Sequence, residues 1–395
     1  MPTLCTVMPA SIPTPIYFDH HATTPCAPEV LAAMLPFFGE RFGNPSALGN
    51  ARGRAAAAQV DAAKARIATL LDSVPEAVVL TAGASEANNL AICGVARRAP
   101  KGRDEILISA IEHPSVRAAA EAMREFGFRV GEIPVDHQGL VDLDALRDRV
   151  SERTALVSVM AANHEIGTIQ PIAAAAEAAH AVGALFHSDA TQAVGKIPIA
   201  VTAAAVDLLS LSGHKFYGPP GIGALLVRAT PPVDLAPLIV GGGQHGGLRS
   251  GTVPLALAVG LGAACELAAA RMTADRLWLD RLGQRLRVGL GKAIPGLRLN
   301  GAAEPRLPGS LNLCLPGVSA ADLLLELADV LCLATGSACA SGASAPSRVL
   351  KAIGLSDQDC AGSIRISLGR GSREAEVDFA IDRIAASAAV IAHAA

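Results

Sequence analysis

From about Asn50 onward, short apolar runs alternate with alanine-rich helical patterns, and few folds can accept that alternation. Arg54 to Leu71 has helical periodicity, Ala77 to Thr81 reads as a short strand, and Ser85 to Val95 as a helix. Strand Glu105 to Ser109 and helix Ser115 to Phe126 follow. Next come helix Leu143 to Val150, strand Ala155 to Met160, helix Ile172 to Val182 and strand Leu185 to His187. Strands Asp207 to Leu211 and Gly221 to Val227 end the series. Strands and helices in this order build a mostly parallel sheet covered by helices on both faces. Ligands of such a sheet sit at the carboxyl ends of its strands. After Gly241-Gly242-Gly243 the texture changes, and a long helical stretch, Pro254 to Leu290, leads into shorter strands and helices. We read an α/β protein with a large domain over 25–262 and a smaller α/β domain made from 1–24 and 263–395.

Bulk properties exclude several classes. Hydrophobic residues are 51% of the 395 and charged ones 17%, which rules out disorder as a global description. The net charge is −3 with no basic block, so neither nucleic acid nor a membrane is expected as a partner. No uninterrupted apolar run reaches the length of a membrane span. Met1 to Ile16 is apolar and proline-rich but lacks the basic start of a signal peptide, which makes cytoplasm the expected location. The eight cysteines, at 5, 26, 93, 265, 314, 332, 339 and 360, form no CxxC pair or Cys/His ligand spacing. No metal site is expected, and most of these thiols should be free.

The residues that suggest chemistry fall at strand ends. Ser210-Leu211-Ser212-Gly213-His214-Lys215 closes an apolar run with a lysine beside a serine, a histidine and a glycine turn. Taken alone, that lysine is equally a surface residue just past the strand. Ala184 to Gln192 places an acid, Asp189, at the end of a neighbouring strand. An amine that can form a Schiff base and an acid that can hold a pyridinium nitrogen are what pyridoxal phosphate needs from a protein. Thr81 to Asn89 reads as strand, glycine turn and helix start, where backbone N–H groups at Ala84 and Ser85 suit a phosphate. On its own, Ser85 is more simply an N-cap. Ser212 and His214 are further phosphate candidates.

Other positions are weaker in isolation. Gln192 could reach the phenolic oxygen of the cofactor, or be a solvated amide. His113, in Glu112-His113-Pro114, could stack on the cofactor ring and pass protons, although a lone histidine is more often structural. Asn163 follows a strand and could contact substrate or the phenolic oxygen, yet asparagine there is commonly a turn residue. Cys339 lies among Ala334 to Ser344, a stretch with no large apolar side chain and no basic residue to activate the thiol. Such a loop suits a nucleophile that must move. Arg365, on the alternating stretch Ser363 to Ser367, could clamp a carboxylate or simply be an exposed strand arginine.

The chain resembles the cysteine desulfurases of the NifS/IscS type, pyridoxal-phosphate enzymes of the class V aminotransferase superfamily. The resemblance runs from Tyr17-Phe18-Asp19-His20-His21-Ala22-Thr23-Thr24-Pro25 to about Arg370. Its most specific pieces are Phe42 to Ser46, Glu112-His113-Pro114, Asn163 to Pro171, Ser210 to Lys215, Arg249-Ser250-Gly251-Thr252 and Gly336-Ser337-Ala338-Cys339. It implies a fold type I architecture and a homodimer. It further implies that Lys215 bonds the cofactor and Asp189 holds its ring nitrogen. His113 would stack on the ring, with Gln192 and Asn163 as cofactor contacts. Ala84, Ser85, Ser212 and His214 would hold the phosphate, joined by Thr252 of the neighbouring subunit. Arg365 and Asn163 would take the substrate L-cysteine, and Cys339 would receive its sulfur as a persulfide, leaving alanine. The acceptor would be a protein such as an iron–sulfur scaffold or a tRNA-thiolation protein.

Three departures stand out. Asn50 occupies a position where the family often has histidine, Ser85 one where threonine is usual, and no long docking tail follows Arg370. Two other readings compete: a selenocysteine lyase or aminotransferase with the same cofactor, and a silent protein that only relays sulfur. Cys339 argues against the first, and the joint presence of Lys215, Asp189 and Cys339 against the second.

Overall fold

Helix α1 (Pro28–Met34) follows strand β1 (Ile16–Tyr17) in the computed structural model, which describes residues 15–335 and 346–394. Helix α2 (Ala51–Leu70) then leads into β2 (Val78–Thr81) and α3 (Ala84–Ala96). The chain continues through β3 (Glu105–Ser109), α4 (Pro114–Ala122), β4 (Arg129–Ile133), α5 (Leu143–Arg149) and β5 (Thr154–Ser158). Helix α6 (Ile172–Ala181), β6 (Leu185–Asp189), β7 (Leu208–Ser212) and β8 (Gly223–Val227) complete the large sheet and its cover. Its seven strands lie in the order β2-β8-β7-β6-β5-β3-β4, with β8 antiparallel to both neighbours and the rest parallel. The central strands are buried on both faces, as β5 and β7 show at every position.

Helix starts follow from local chemistry. Asn50 caps α2 by accepting from the N–H of Gly53, so this departure from the family has a structural use. Asp142 caps α5 in the same way, accepting from the N–H groups of Asp144 and Ala145. His113 caps α4, with Pro114 at the first helical position. Helix α3 differs: Gly83, at φ +156°, leads into it with no side-chain cap.

The long helix α7 (Leu255–Ala293) joins two hydrophobic cores. Its first half, to Ala268, belongs to the core below the large sheet, and Leu279 to Leu290 belong to a second core. Position 262 therefore lies inside a continuous helix. At Gly262 a Cβ would stand 2.8 Å from the Cα of Ala63, so the glycine lets α7 lie almost against the backbone of α2. One stretch of α7 has the length and composition of a membrane span, but here that face packs against α1 and α2.

The second core is built by β9 (Arg298–Leu299), β10 (Ser310–Cys314), α8 (Ala320–Leu327), β11 (Leu331–Cys332) and β12 (Ala334–Thr335). Helices α9 (Arg348–Ala352) and α10 (Asp357–Ala361), strand β13 (Ser363–Ser367) and helix α11 (Glu374–Ala394) complete this part. Strands β12, β13, β10 and β9 form an antiparallel sheet, and β1 pairs with β11, which ties the start of the described chain into this second part. Strand β1, helix α1 and the edge strand β4 had no clear sequence signal. Strand β4 carries Arg129, Gly131 and Glu132, and only its in-register pairing with β3 makes it a strand.

Candidate active site

A cavity of about 730 Å³ opens at the carboxyl ends of β2, β6 and β7. At one end lies the start of α3. The helix has no side-chain cap there, and its first residues, Ala84 and Ser85, line the cavity with Ser212 and His214. A Cβ on Gly83 would lie 3.6 Å from the Ser212 hydroxyl oxygen, a measure of how close the two segments run. Uncapped N–H groups and the positive end of a helix favour an anion. Glu86 does not compete for that place: its carboxylate accepts from the N–H of Ala82 (2.8 Å) and pairs with Arg249 (2.8 Å). His214 is hydrogen-bonded to Thr23 (3.0 Å), and burial, with Lys215 and Lys196 nearby, pushes its pKa down to about 4.

At the other end Asp189 projects from the last residue of β6. One carboxylate oxygen accepts from the N–H of Thr191 (3.0 Å), the other from Nδ2 of the fully buried Asn88 (2.8 Å). Asn88 also donates to the hydroxyl of Ser115 (2.9 Å), which lies 2.8 Å from Nδ1 of His113. Nothing in the local sequence pattern marks Asn88 as a partner of Asp189. The one available signal was the place of Asn88 one turn into α3, directed toward the ends of β3 and β6. Burial lowers the pKa of His113, against the opposing pull of Asp189, and Lys215 lowers it further.

Lys215 ends the short turn after β7, and its Nζ donates to the carbonyls of His21 (2.7 Å) and Ala22 (2.8 Å). The His21 carbonyl also accepts from Nε2 of Gln192 (2.9 Å), and the oxygen of that amide accepts from Nζ of Lys196 (2.7 Å). A carbonyl can only accept, so the His21 contact fixes which way the amide turns and leaves the second N–H of Gln192 for the cavity. His21 and Lys196 were not singled out in the sequence, because the segment carrying His21 reaches the site from the far end of the chain. Burial, with Lys215 and Arg365 adding to it, lowers the pKa of Lys196 from 10.5 to about 7. Unfolding therefore takes up a proton between those values, so this residue makes stability rise as pH climbs from about 7 toward 10.5. Lys196→Met is expected to lose that slope, measured as the denaturant midpoint against pH relative to wild type. An identical slope in both proteins would refute the assignment.

Arg365 is not an exposed strand arginine. It is 3% exposed, lines the cavity, donates from Nη2 to Asp19 (2.7 Å) and from Nη1 to the carbonyl of His164 (3.1 Å). Its Nε is buried and has no acceptor among the described residues. Asn163 is not brought to the cavity wall. Its amide is spent on the turn, accepting from the N–H groups of Glu165 (2.8 Å) and Ile166 (3.0 Å) and donating to the carbonyl of Ile111 (3.0 Å). The neighbouring His164 lines the cavity instead, edge-on to His113 with ring centroids 5.3 Å apart. Thr252 is exposed and stands outside the cavity wall of its own chain. Cys339 lies outside the described residues.

An uncapped helix start, a tethered carboxylate and a lysine around one cavity define the site of a fold type I pyridoxal-phosphate enzyme. The family model described as aminotransferase class V matches residues 16–379. A probable mitochondrial cysteine desulfurase of Dictyostelium discoideum is 42% identical over 368 residues, 93% of this chain and 82% of that protein. The cysteine desulfurase IscS of Rickettsia akari is 42% identical over 370 residues, 94% of this chain and 90% of the relative. A solved NifS-like protein superposes with a TM-score of 0.87 at 34% identity, covering 94% and 98% of the two chains. The chain belongs to the class V aminotransferase family, and its cofactor is pyridoxal phosphate. The donor set fits that cofactor: backbone N–H groups and a hydroxyl suit a phosphate, a carboxylate suits a pyridinium nitrogen, and a primary amine suits an aldehyde.

Proposed function

We propose that the chain is a cysteine desulfurase, which takes sulfur from L-cysteine, releases L-alanine and holds the sulfur as a persulfide on Cys339. The observation that carries this reading is the grouping of Asp189, Lys215 and Arg365 around one cavity, in a chain whose curated relatives are named cysteine desulfurases. Bound pyridoxal phosphate supplies an electron sink at the substrate Cα. Ala84, Ser85, Ser212 and His214 would hold its phosphate, Asp189 would keep its ring nitrogen protonated, His113 would lie against its ring, and Gln192 would donate to its phenolic oxygen. The partner subunit's Thr252 completes the phosphate site of a homodimer. We assign the carboxylate of L-cysteine to Arg365, whose buried Nε is an unused donor; Asn163 acts through the turn that places His164.

The chemistry asked of the chain is short. The Lys215 amine takes the proton from the substrate Cα. The thiolate of Cys339 attacks the substrate sulfur, so an S–S bond forms while the substrate C–S bond breaks. The electron pair stays on the carbon skeleton, which leaves as alanine after protonation. Arg365 keeps the substrate oriented throughout.

The dimer reading is supported by the exposed apolar side chains Leu31, Leu35, Phe38, Phe42 and Leu48, crowded into one stretch of chain. Six described cysteines are free, which suits a reducing compartment such as the cytoplasm. The two-domain division, 25–262 against 1–24 with 263–395, is part of the same reading. So is the acceptor, an iron–sulfur scaffold or a tRNA-thiolation protein. The test is product release from L-cysteine with added reductant. Wild type is expected to give alanine and sulfide in equal amounts, and Cys339→Ala to lose most of both. Full activity in the variant would remove Cys339 from the mechanism and favour a lyase or transaminase.

A further inference from the structure

The hydrogen bonds between Asp189 and His113 have a fixed direction. A carboxylate oxygen only accepts, so the amide of Asn88 must turn its nitrogen to Asp189, at 2.8 Å. The second proton of that nitrogen goes to the hydroxyl of Ser115, at 2.9 Å. The hydroxyl oxygen could accept a second time, so the direction of its contact with Nδ1 of His113, 2.8 Å away, is set by what else Nδ1 binds. The same Nδ1 accepts the backbone N–H of Ser115 at 3.1 Å. A ring nitrogen that accepts two hydrogen bonds carries no proton of its own, so the neutral imidazole holds its proton on Nε2. His113 lines the cavity, and Nε2 has no hydrogen-bond partner among the described residues.

We propose that Asn88 and Ser115 are positioning residues that relay the charge of Asp189 to His113 and hold its neutral ring as the Nε2–H tautomer. His113 then offers the cavity a hydrogen-bond donor and no lone pair. A ring held this way can accept a proton only at Nδ1, by giving up both bonds from Ser115. It cannot be the base that takes a proton from the substrate at Nε2. One carboxylate thus acts in two directions, on the cofactor side of Asp189 and through Asn88 on the ring of His113. The catalytic consequence rests on the desulfurase reading; the tautomer does not.

The tautomer is read directly by two-bond proton–nitrogen correlation in cofactor-loaded protein labelled with 15N-histidine, near neutral pH and without substrate. Resonances are assigned to His113 by their loss in His113→Asn. Wild type is expected to show an unprotonated Nδ1 and a protonated Nε2. Ser115→Ala and Asn88→Ala should each drive the ring toward a mixture of tautomers, and Ser115→Thr, which keeps the hydroxyl, should retain the wild-type pattern. In parallel, Ser115→Ala should lower kcat for alanine release roughly tenfold with little change in KM, the scale on which outer hydrogen-bond partners act, and Ser115→Thr should recover it. A protonated Nδ1 in wild type, or an unchanged pattern in both alanine variants, would overturn the relay. Altered tautomers with unchanged kcat would overturn its part in catalysis. Because the spectra need no turnover, a failure of the relay is distinguishable from a failure of the desulfurase assignment.

Discussion

Lys215→Ala protein is expected to release alanine and sulfide from L-cysteine roughly 10³- to 10⁴-fold more slowly than wild type, the loss that follows from removing a positioned base. The lysine stands at the end of β7, in a turn held by Gly213, where a Cβ would come within 3.0 Å of the Pro219 carbonyl. Its amine donates to the carbonyls of His21 and Ala22 at the cavity wall. The variant removes no packed apolar group, and the fold should survive. Two measurements separate a lost base from a lost fold. Borohydride treatment of cofactor-loaded wild type should fix the cofactor on the peptide containing Lys215, whereas the variant should bind it reversibly. A small primary amine added to the variant should restore part of the activity, because the alanine leaves a space of about that size. Residual activity within tenfold of wild type would sink the assignment.

What could be read from the sequence and what could not divide along a physical line. Asp189, His113 and Lys215 were legible because each lies at the carboxyl end of a strand or within a few residues beyond it, and parallel strands bring those ends to one edge. The helices of the large sheet were legible from periodicity, although the helix that Asn50 caps was read from Arg54 and begins at Ala51. Strand β4 was not, since Arg129, Gly131 and Glu132 resemble loop residues until they pair with β3. His21 was hidden for another reason. It approaches Gln192 across 171 positions of sequence, and no local pattern reports a contact of that range. Asn163 shows the limit of motif reading. The motif marks the right turn, but the asparagine builds that turn while His164 occupies the wall. At Arg365 two readings stood open, a carboxylate clamp and an exposed strand arginine, and the pairing of β13 between β12 and β10 buries it at the cavity wall.

Asp189→Asn is expected to lower kcat roughly 10²- to 10³-fold while the protein still folds and still takes up cofactor, the scale of losing one preorganised electrostatic contact at a reacting centre. An amide can accept the N–H of Thr191 as the carboxylate does, but its charge is gone. Its single oxygen can accept from Thr191 or from Nδ2 of Asn88 but not from both, since an NH₂ now takes the place of the second oxygen. The substitution therefore acts at both ends of the site. It weakens the hold on the ring nitrogen and loosens the chain through Asn88 and Ser115 that ends at His113. Asn88→Ala combined with Asp189→Asn should consequently cost much less than the product of the two single losses, since both break one network. Steady-state kinetics at saturating cofactor, together with the absorbance spectrum of the bound cofactor, check this. Strictly multiplicative losses would mean that Asp189 acts on the cofactor alone, and a kcat within tenfold of wild type would mean that the ring nitrogen does not depend on it.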